Sequence, residues 1–321
     1  LVGGALRDQL DRVEGSRHKQ QALTRAPVAA AVGDGPIEHP GDRVGDEVLR
    51  VQELAVGYPQ ADGTIRRVVD EVSLSVRRGE VHGLIGESGS GKTQTAFAVM
   101  RLLPADGRIV GGSVLFGDTD LAQLSSREMG RLRGKRIAYV PQEPMSNLDP
   151  SFTIGWQLME PMCAVLRISR RDAKKRALNL LAKVGIPDPP RTFAAYPHQI
   201  SGGMAQRVLI AGAVSCRPDL LIADEPTTAL DVTVQAEVLD LLRDLRKEYG
   251  MGILLVTHNF GVVADICDHV SVMREGRIVE SGAVRSLFDA PQHPYTKSLF
   301  ASVLTETPHG SVEPEPWSVA R

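Results

Sequence analysis

Three short stretches of this chain are almost wholly apolar: Val81–Ile85, Leu220–Ala223 and Ile253–Val256. Each has strand length, and each runs straight into polar residues. The first meets a glycine-rich loop, the second Asp224-Glu225 and the third Thr257-His258. Runs of this kind read as strands buried on both faces of a parallel sheet. Elsewhere the apolar residues recur at helical spacing. Ala173, Ala177, Leu180, Leu181 and Val184 mark one helix face, and Val234, Val238, Leu241, Leu242 and Leu245 mark another. Further strands are expected at Val48–Val56, around Ser73–Val76 and at Arg136–Val140. A hairpin, His269–Met273 with Arg277–Glu280, turns at Glu275-Gly276. Thr93–Leu103 reads as a helix stopped by Pro104, and about Ile154–Val214 reads as a helical region. Strands alternating with helices predict an α/β fold with a mainly parallel sheet, whose ligands bind where strands end and helices begin.

Composition narrows the function classes. The chain has 321 residues, 42% hydrophobic and 24% charged, with a net charge of -2. Mixed signs and near neutrality do not point to nucleic acid or an anionic membrane surface. The cysteines, Cys163, Cys216 and Cys267, are far apart and form no CxxC pair, which argues against a zinc or iron–sulfur site. No apolar run approaches the ~20 residues of a membrane-spanning helix, and no secretory signal opens the chain. A cytoplasmic location is therefore expected, with any membrane role exercised through partners. Residues 1–47 are rich in Ala, Gly, Pro and charge and read as a tail or linker; 304–321 read as a loose C-terminal tail.

The chemistry concentrates first in Gly86-Glu87-Ser88-Gly89-Ser90-Gly91-Lys92-Thr93, which fits G-x-x-x-x-G-K-[ST]. Glycines let backbone N–H groups surround phosphate oxygens, and the following helix points its positive end at them. Lys92 is expected to reach the β- and γ-phosphates of ATP and Thr93 to hold Mg²⁺. Asp224, at the end of a buried strand, is the second expected Mg²⁺ partner. Its neighbour Glu225 is the expected acceptor of the proton from an attacking water. Two acids at a strand end are unremarkable alone; with the phosphate loop they complete a P-loop NTPase.

Ser201-Gly202-Gly203-Met204-Ala205-Gln206 sharpens the reading. It opens the apolar helix Val208–Val214, and a Ser-Gly-Gly at a helix N-terminus forms a second anion site. Here the chain resembles the ATP-binding cassette (ABC) family over about Val48–Val303, with the other motifs in order. The resemblance implies a RecA-like P-loop core with an antiparallel β subdomain and an inserted helical subdomain, about 143–214. It further implies that Ser201, Gly202, Gly203 and Gln206 complete the nucleotide site of a second cassette. Tyr58 would stack on adenine, Gln142 would touch Mg²⁺ or the water and sense the transporter, Asp231 in Ala229-Leu230-Asp231 would cross the dimer interface, and His258 would contact the γ-phosphate. Two positions depart from the usual signature: Ile200 replaces a leucine, and Ala205 replaces a long polar residue, which would weaken an interface contact.

Two stretches resemble the dipeptide/oligopeptide/nickel importer branch: Pro141-Gln142-Glu143-Pro144-Met145-Ser146-Asn147-Leu148-Asp149-Pro150 and Pro291-Gln292-His293-Pro294-Tyr295-Thr296. The branch implies membrane permease subunits, a second cassette and an extracytoplasmic solute-binding protein as partners. It also implies a peripheral place on the cytoplasmic face of the cell membrane. Some members carry an iron–sulfur cluster after the second stretch; with no cysteine beyond Cys267, none is expected if the natural end lies near Arg321. Leu1–Asp11 resembles the tail of a permease from the same branch, so a permease fusion, which would tether the ATPase, is a further expectation. The alternatives are the same engine driving nickel uptake, a soluble ABC ATPase acting on ribosomes or DNA, and a regulatory cassette without turnover. One cassette without heptads or cysteine pairs speaks against the ribosome or DNA reading, and intact Glu225 and His258 against the regulatory one.

Overall fold

The computed structural model describes residues 46–104, 106–228 and 230–305. The expected permease-like segment Leu1–Asp11, most of both tails and Ala229 lie outside the described residues. Strand pairing within them begins at Glu47, opposite Arg77. The last described helix spans Pro294–Thr305.

Two sheets form the scaffold. In the antiparallel sheet β1 (Glu47–Pro59) lies between β2 (Ile65–Arg77) and β4 (Arg108–Phe116), and β5 (Thr119–Asp120) edges β4. In the larger sheet β3 (Val81–Ile85) is central, flanked by β8 (Gly252–Thr257) and β9 (His269–Arg274). Outside β8 lie β7 (Leu220–Asp224) and then β6 (Ile137–Val140), all parallel to β3. Only β10 (Arg277–Ala283) runs antiparallel, paired with β9. Every residue of β3, β7 and β8 is buried, as their nearly unbroken apolar runs imply. At ~1.5–3 kcal/mol per buried large aliphatic side chain, these strands anchor the core.

Helix α1 (Lys92–Met100) follows β3, and α2 (Ser126–Leu132) follows β5. Helix α1 stops before the expected Pro104: Arg101 turns left-handed at φ 52. Arg133 then donates to the carbonyls of Met100 (2.8 Å) and Arg101 (2.7 Å), satisfying groups a helix end leaves bare. The expected helical region is four separate helices: α3 (Ile154–Leu166), α4 (Arg170–Lys183), α5 (Pro189–Ala194) and α6 (Gly202–Val214). The remaining helices among the described residues are α7 (Val232–Tyr249), α8 (Phe260–Ile266), α9 (Val284–Asp289) and α10 (Pro294–Thr305). One hydrophobic cluster joins α3, α4 and α6 to the faces of β7, β8 and α7. A second fills the space between the two sheets and α1. No helix among the described residues is long and apolar enough to cross a membrane.

Candidate active site

The carboxyl ends of β3, β6, β7 and β8 lie side by side, so four loops distant in sequence converge on one edge of the parallel sheet. The loop after β3 is drawn tight against the hairpin behind it. A Cβ on Gly86 would sit 2.1 Å from the Met273 carbonyl, so only glycine fits. Gly91, at φ 106, caps α1.

Lys92 opens α1 and is only 6% exposed. Its ammonium donates to the carbonyls of Gly86 and Glu87, both at 2.8 Å. Burial lowers the Lys92 pKa, while Glu225, Asp224 and Glu87 oppose that shift. Thr93 donates its hydroxyl to Asp224 Oδ1 at 3.4 Å, joining the two expected metal-binding positions. Asp224 is 2% exposed, and Tyr139 of β6 donates to its other oxygen at 3.2 Å. Burial raises the Asp224 pKa against these two hydrogen bonds. The oxygen donors of Thr93 and Asp224 suit Mg²⁺, which keeps most of its remaining ligands as water and phosphate.

Glu225 is the convergence point. Gln142 donates its amide to Oε2 (2.8 Å), Thr228 its hydroxyl to the same oxygen (2.8 Å), and His258 Nδ1 meets Oε1 (2.8 Å). Partial burial pushes this carboxyl up, but the hydrogen bonds from His258 and Thr228 outweigh it and hold the pKa below the ordinary glutamate value. The Glu225 backbone is left-handed at φ 47, a conformation costing a non-glycine residue of order 1–3 kcal/mol. Its N–H is fixed on the Val256 carbonyl at 2.8 Å, so the strained turn is held by the next strand. The result is a preoriented carboxylate, its pKa held low, at the edge that carries Lys92 and Thr93.

This tuning makes a prediction. Thr228→Val removes one hydrogen bond that lowers the Glu225 pKa, so the acid limb of kcat/KM for ATP hydrolysis should move to higher pH. A pH profile superimposable on the parental one would show that the Thr228 hydroxyl does not tune the base.

The other expected residues sit as follows. Tyr58, one residue before the end of β1, is half-buried, and its hydroxyl donates to Gln94 of α1 at 2.6 Å. Glu87, Ser88 and Gly89 form the exposed outer turn of the loop, whereas Ser90 is buried. Ser201 caps α6 by accepting from the Met204 N–H at 3.3 Å, leaving Ser201 and Gly202 exposed. Asp231 caps α7, accepting from the Val234 N–H at 2.9 Å. Two signature positions differ from expectation. Gln206 is 1% exposed with its amide nitrogen unpartnered, so its side chain faces inward. Ala205 is 0% exposed and packs in the helical core, so alanine there removes nothing from the surface. Tyr139 and Thr228 were not expected. Tyr139 stands three residues before Gln142, the one local hint to it; Thr228 is revealed only by the turn after Glu225.

Comparison with known proteins identifies relatives of the chain. The sequence profile of the ABC transporter family matches residues 69–228. The dipeptide transport ATP-binding protein DppD of Bacillus subtilis is 44% identical over 259 residues, covering 80% of this chain and 77% of that protein. The oligopeptide transport ATP-binding protein OppD of Escherichia coli is 45% identical over 258 residues, covering 80% and 76%. A solved dimeric ATP-binding cassette in a post-hydrolysis state, bound to ADP and Pi, matches with a TM-score of 0.66 at 27% identity, over 74% of this chain and 98% of that one.

Proposed function

The chain belongs to the ABC transporter family, and on that footing we propose that it is the ATP-hydrolysing subunit of an importer that moves peptides or related small solutes through a membrane permease. The observation that carries the hydrolytic role is the Glu225 carboxylate, gripped by Gln142, Thr228 and His258 on the edge that bears the Lys92 loop. The relatives named for dipeptide and oligopeptide transport support the cargo class.

Two cassettes sandwich two ATP molecules, each held by the Gly86–Thr93 loop of one and the Ser201–Gly203 turn of the other. Tyr58 packs against the adenine. Loop N–H groups and Lys92 bind the phosphates; Thr93 and Asp224, with the Gln142 amide oxygen, would hold Mg²⁺. That ion would supply charge neutralisation across the β- and γ-phosphates. Glu225 takes the proton of the attacking water, and His258 donates toward the γ-phosphate as its charge develops. Asp231 lies at the cassette–cassette boundary. Because Gln142 bonds Glu225 directly, movement of its loop against the permease is coupled to the proton acceptor. The assembly then sits on the cytoplasmic face of the membrane.

Co-purification from detergent-solubilised membranes, followed by uptake assays in cells lacking this chain, tests the reading. A permease partner and lost peptide uptake are expected. Ribosomes or DNA as the partner, or lost nickel uptake with intact peptide uptake, would overturn it.

A further inference from the structure

The segment Gln292–Thr296, singled out in the sequence, has no part in the chemistry above, yet the fold delivers it to the back of the phosphate loop. Glu280 of β10 accepts the N–H groups of Gln292 (2.7 Å) and His293 (3.0 Å). His293 Nδ1 in turn accepts the Tyr295 N–H at 3.2 Å, fixing the first turn of α10. Tyr295 is thereby driven inward to 8% exposure, where it packs with Phe288, Phe300 and Ile85, the last residue of β3. The Arg274 guanidinium lies 4.8 Å from its ring centroid. Its hydroxyl accepts the backbone N–H of Glu87 at 3.4 Å. A second brace lies alongside: the Gly276 N–H, at the tip of the β9–β10 hairpin, donates to the Ser90 carbonyl at 2.9 Å.

These contacts assign opposite duties to the two polar groups of one peptide residue. The Glu87 carbonyl receives the Lys92 ammonium on the inner side of the loop at 2.8 Å. Its N–H is turned to Tyr295 instead of inward to phosphate. That N–H shares its peptide plane with the Gly86 carbonyl, which also accepts the Lys92 ammonium at 2.8 Å, so whatever fixes the N–H fixes a carbonyl on which Lys92 leans. From this we infer that Tyr295 is a positioning residue for nucleotide binding: the Gln292–Thr296 segment is a latch that holds the outer turn of the phosphate loop in its binding shape. A preset loop loses little freedom when it closes on phosphate, so the latch acts on affinity more than on the chemical step. The inference rests on reading Gly86–Thr93 as the ATP site.

The test uses the full chain. Tyr295→Phe keeps the ring, its packing and the Arg274 contact, and deletes only the oxygen. One net hydrogen bond corresponds to about a three- to ten-fold change in an equilibrium. The expected results are that faster hydrogen exchange of the Glu87 amide, read without nucleotide, is matched by an ATP KM raised about that much, with kcat falling less than KM rises. Glu280→Gln, which weakens the acceptor for the Gln292 and His293 amides, should move both readouts the same way. It also serves if Tyr295→Phe proves unstable. Unchanged Glu87 exchange and unchanged KM in a folded variant would overturn the latch. A parental protein that does not bind ATP would instead overturn the reading of the site, and the exchange measurement separates the two failures.

Discussion

Glu225→Gln is expected to leave ATP binding intact and to lower turnover by about two to four orders of magnitude, the contribution typical of a positioned general base. The substitution keeps the side chain's length and shape and removes its capacity to take a proton. Three donors point at the carboxylate, from Gln142, Thr228 and His258. An amide oxygen can still accept two of them. That oxygen can face Gln142 and Thr228, which share one carboxylate oxygen, while His258 in its other tautomer accepts the new amide N–H at Nδ1, so no group need be left buried and bare. The left-handed backbone at residue 225 is held by the Val256 carbonyl and does not depend on the side-chain charge. Local structure therefore survives while the chemical step stalls, and ATP accumulates in a closed pair of cassettes. Nucleotide affinity, single-turnover hydrolysis and the ATP-dependent dimer fraction read these effects separately. Hydrolysis at the parental rate would mean that another group activates the water.

Parts of the fold were legible in the sequence for a physical reason. Strands buried on both faces carry few polar residues, each needing a partner as His82 has in Ser271, so β3, β7 and β8 appeared as nearly unbroken apolar runs within a residue or two of their true ends. Strand β4 escaped notice because Gly111-Gly112 interrupts it at a point where the register with β1 shifts and Gly112 takes φ 77. Helix α2 did carry a signal, the capping box of Ser125 and Glu128, but only seven residues follow it. The candidate positions stood out in the sequence because each lies within two residues of a strand end or a helix start. What no local pattern could show is which distant groups meet them. Tyr139 reaches Asp224 across 85 positions and Tyr295 reaches Glu87 across 208, through sheet order alone. Inward-turned Gln206 is the converse: its spacing was right, but the rotation of α6 decides which side of the helix faces solvent.

Lys92→Ala is expected to act at the opposite end of the cycle, weakening ATP binding by at least about a hundred-fold. Each charge-assisted hydrogen bond to phosphate is worth roughly 1.5–3 kcal/mol, and the ammonium can offer more than one. The electrostatic surroundings enlarge the loss. Lys92 is the cation that Asp224, Glu225 and Glu87 all act upon at this edge. Without it the triphosphate would enter a pocket whose local charge is anionic, and attraction would become repulsion. The fold should tolerate the change, since the carbonyls of Gly86 and Glu87 that lose the ammonium sit beside solvent-exposed Glu87 and Ser88 and can be hydrated. Calorimetric titration with ATP, together with a thermal melt, separates affinity from stability. An alanine variant that binds ATP at near-parental affinity but does not hydrolyse it would move Lys92 from ground-state binding to the transition state. The Lys92 and Glu225 variants are therefore most informative as a pair: one should fail to fill the site, and the other should fill it and fail to empty it.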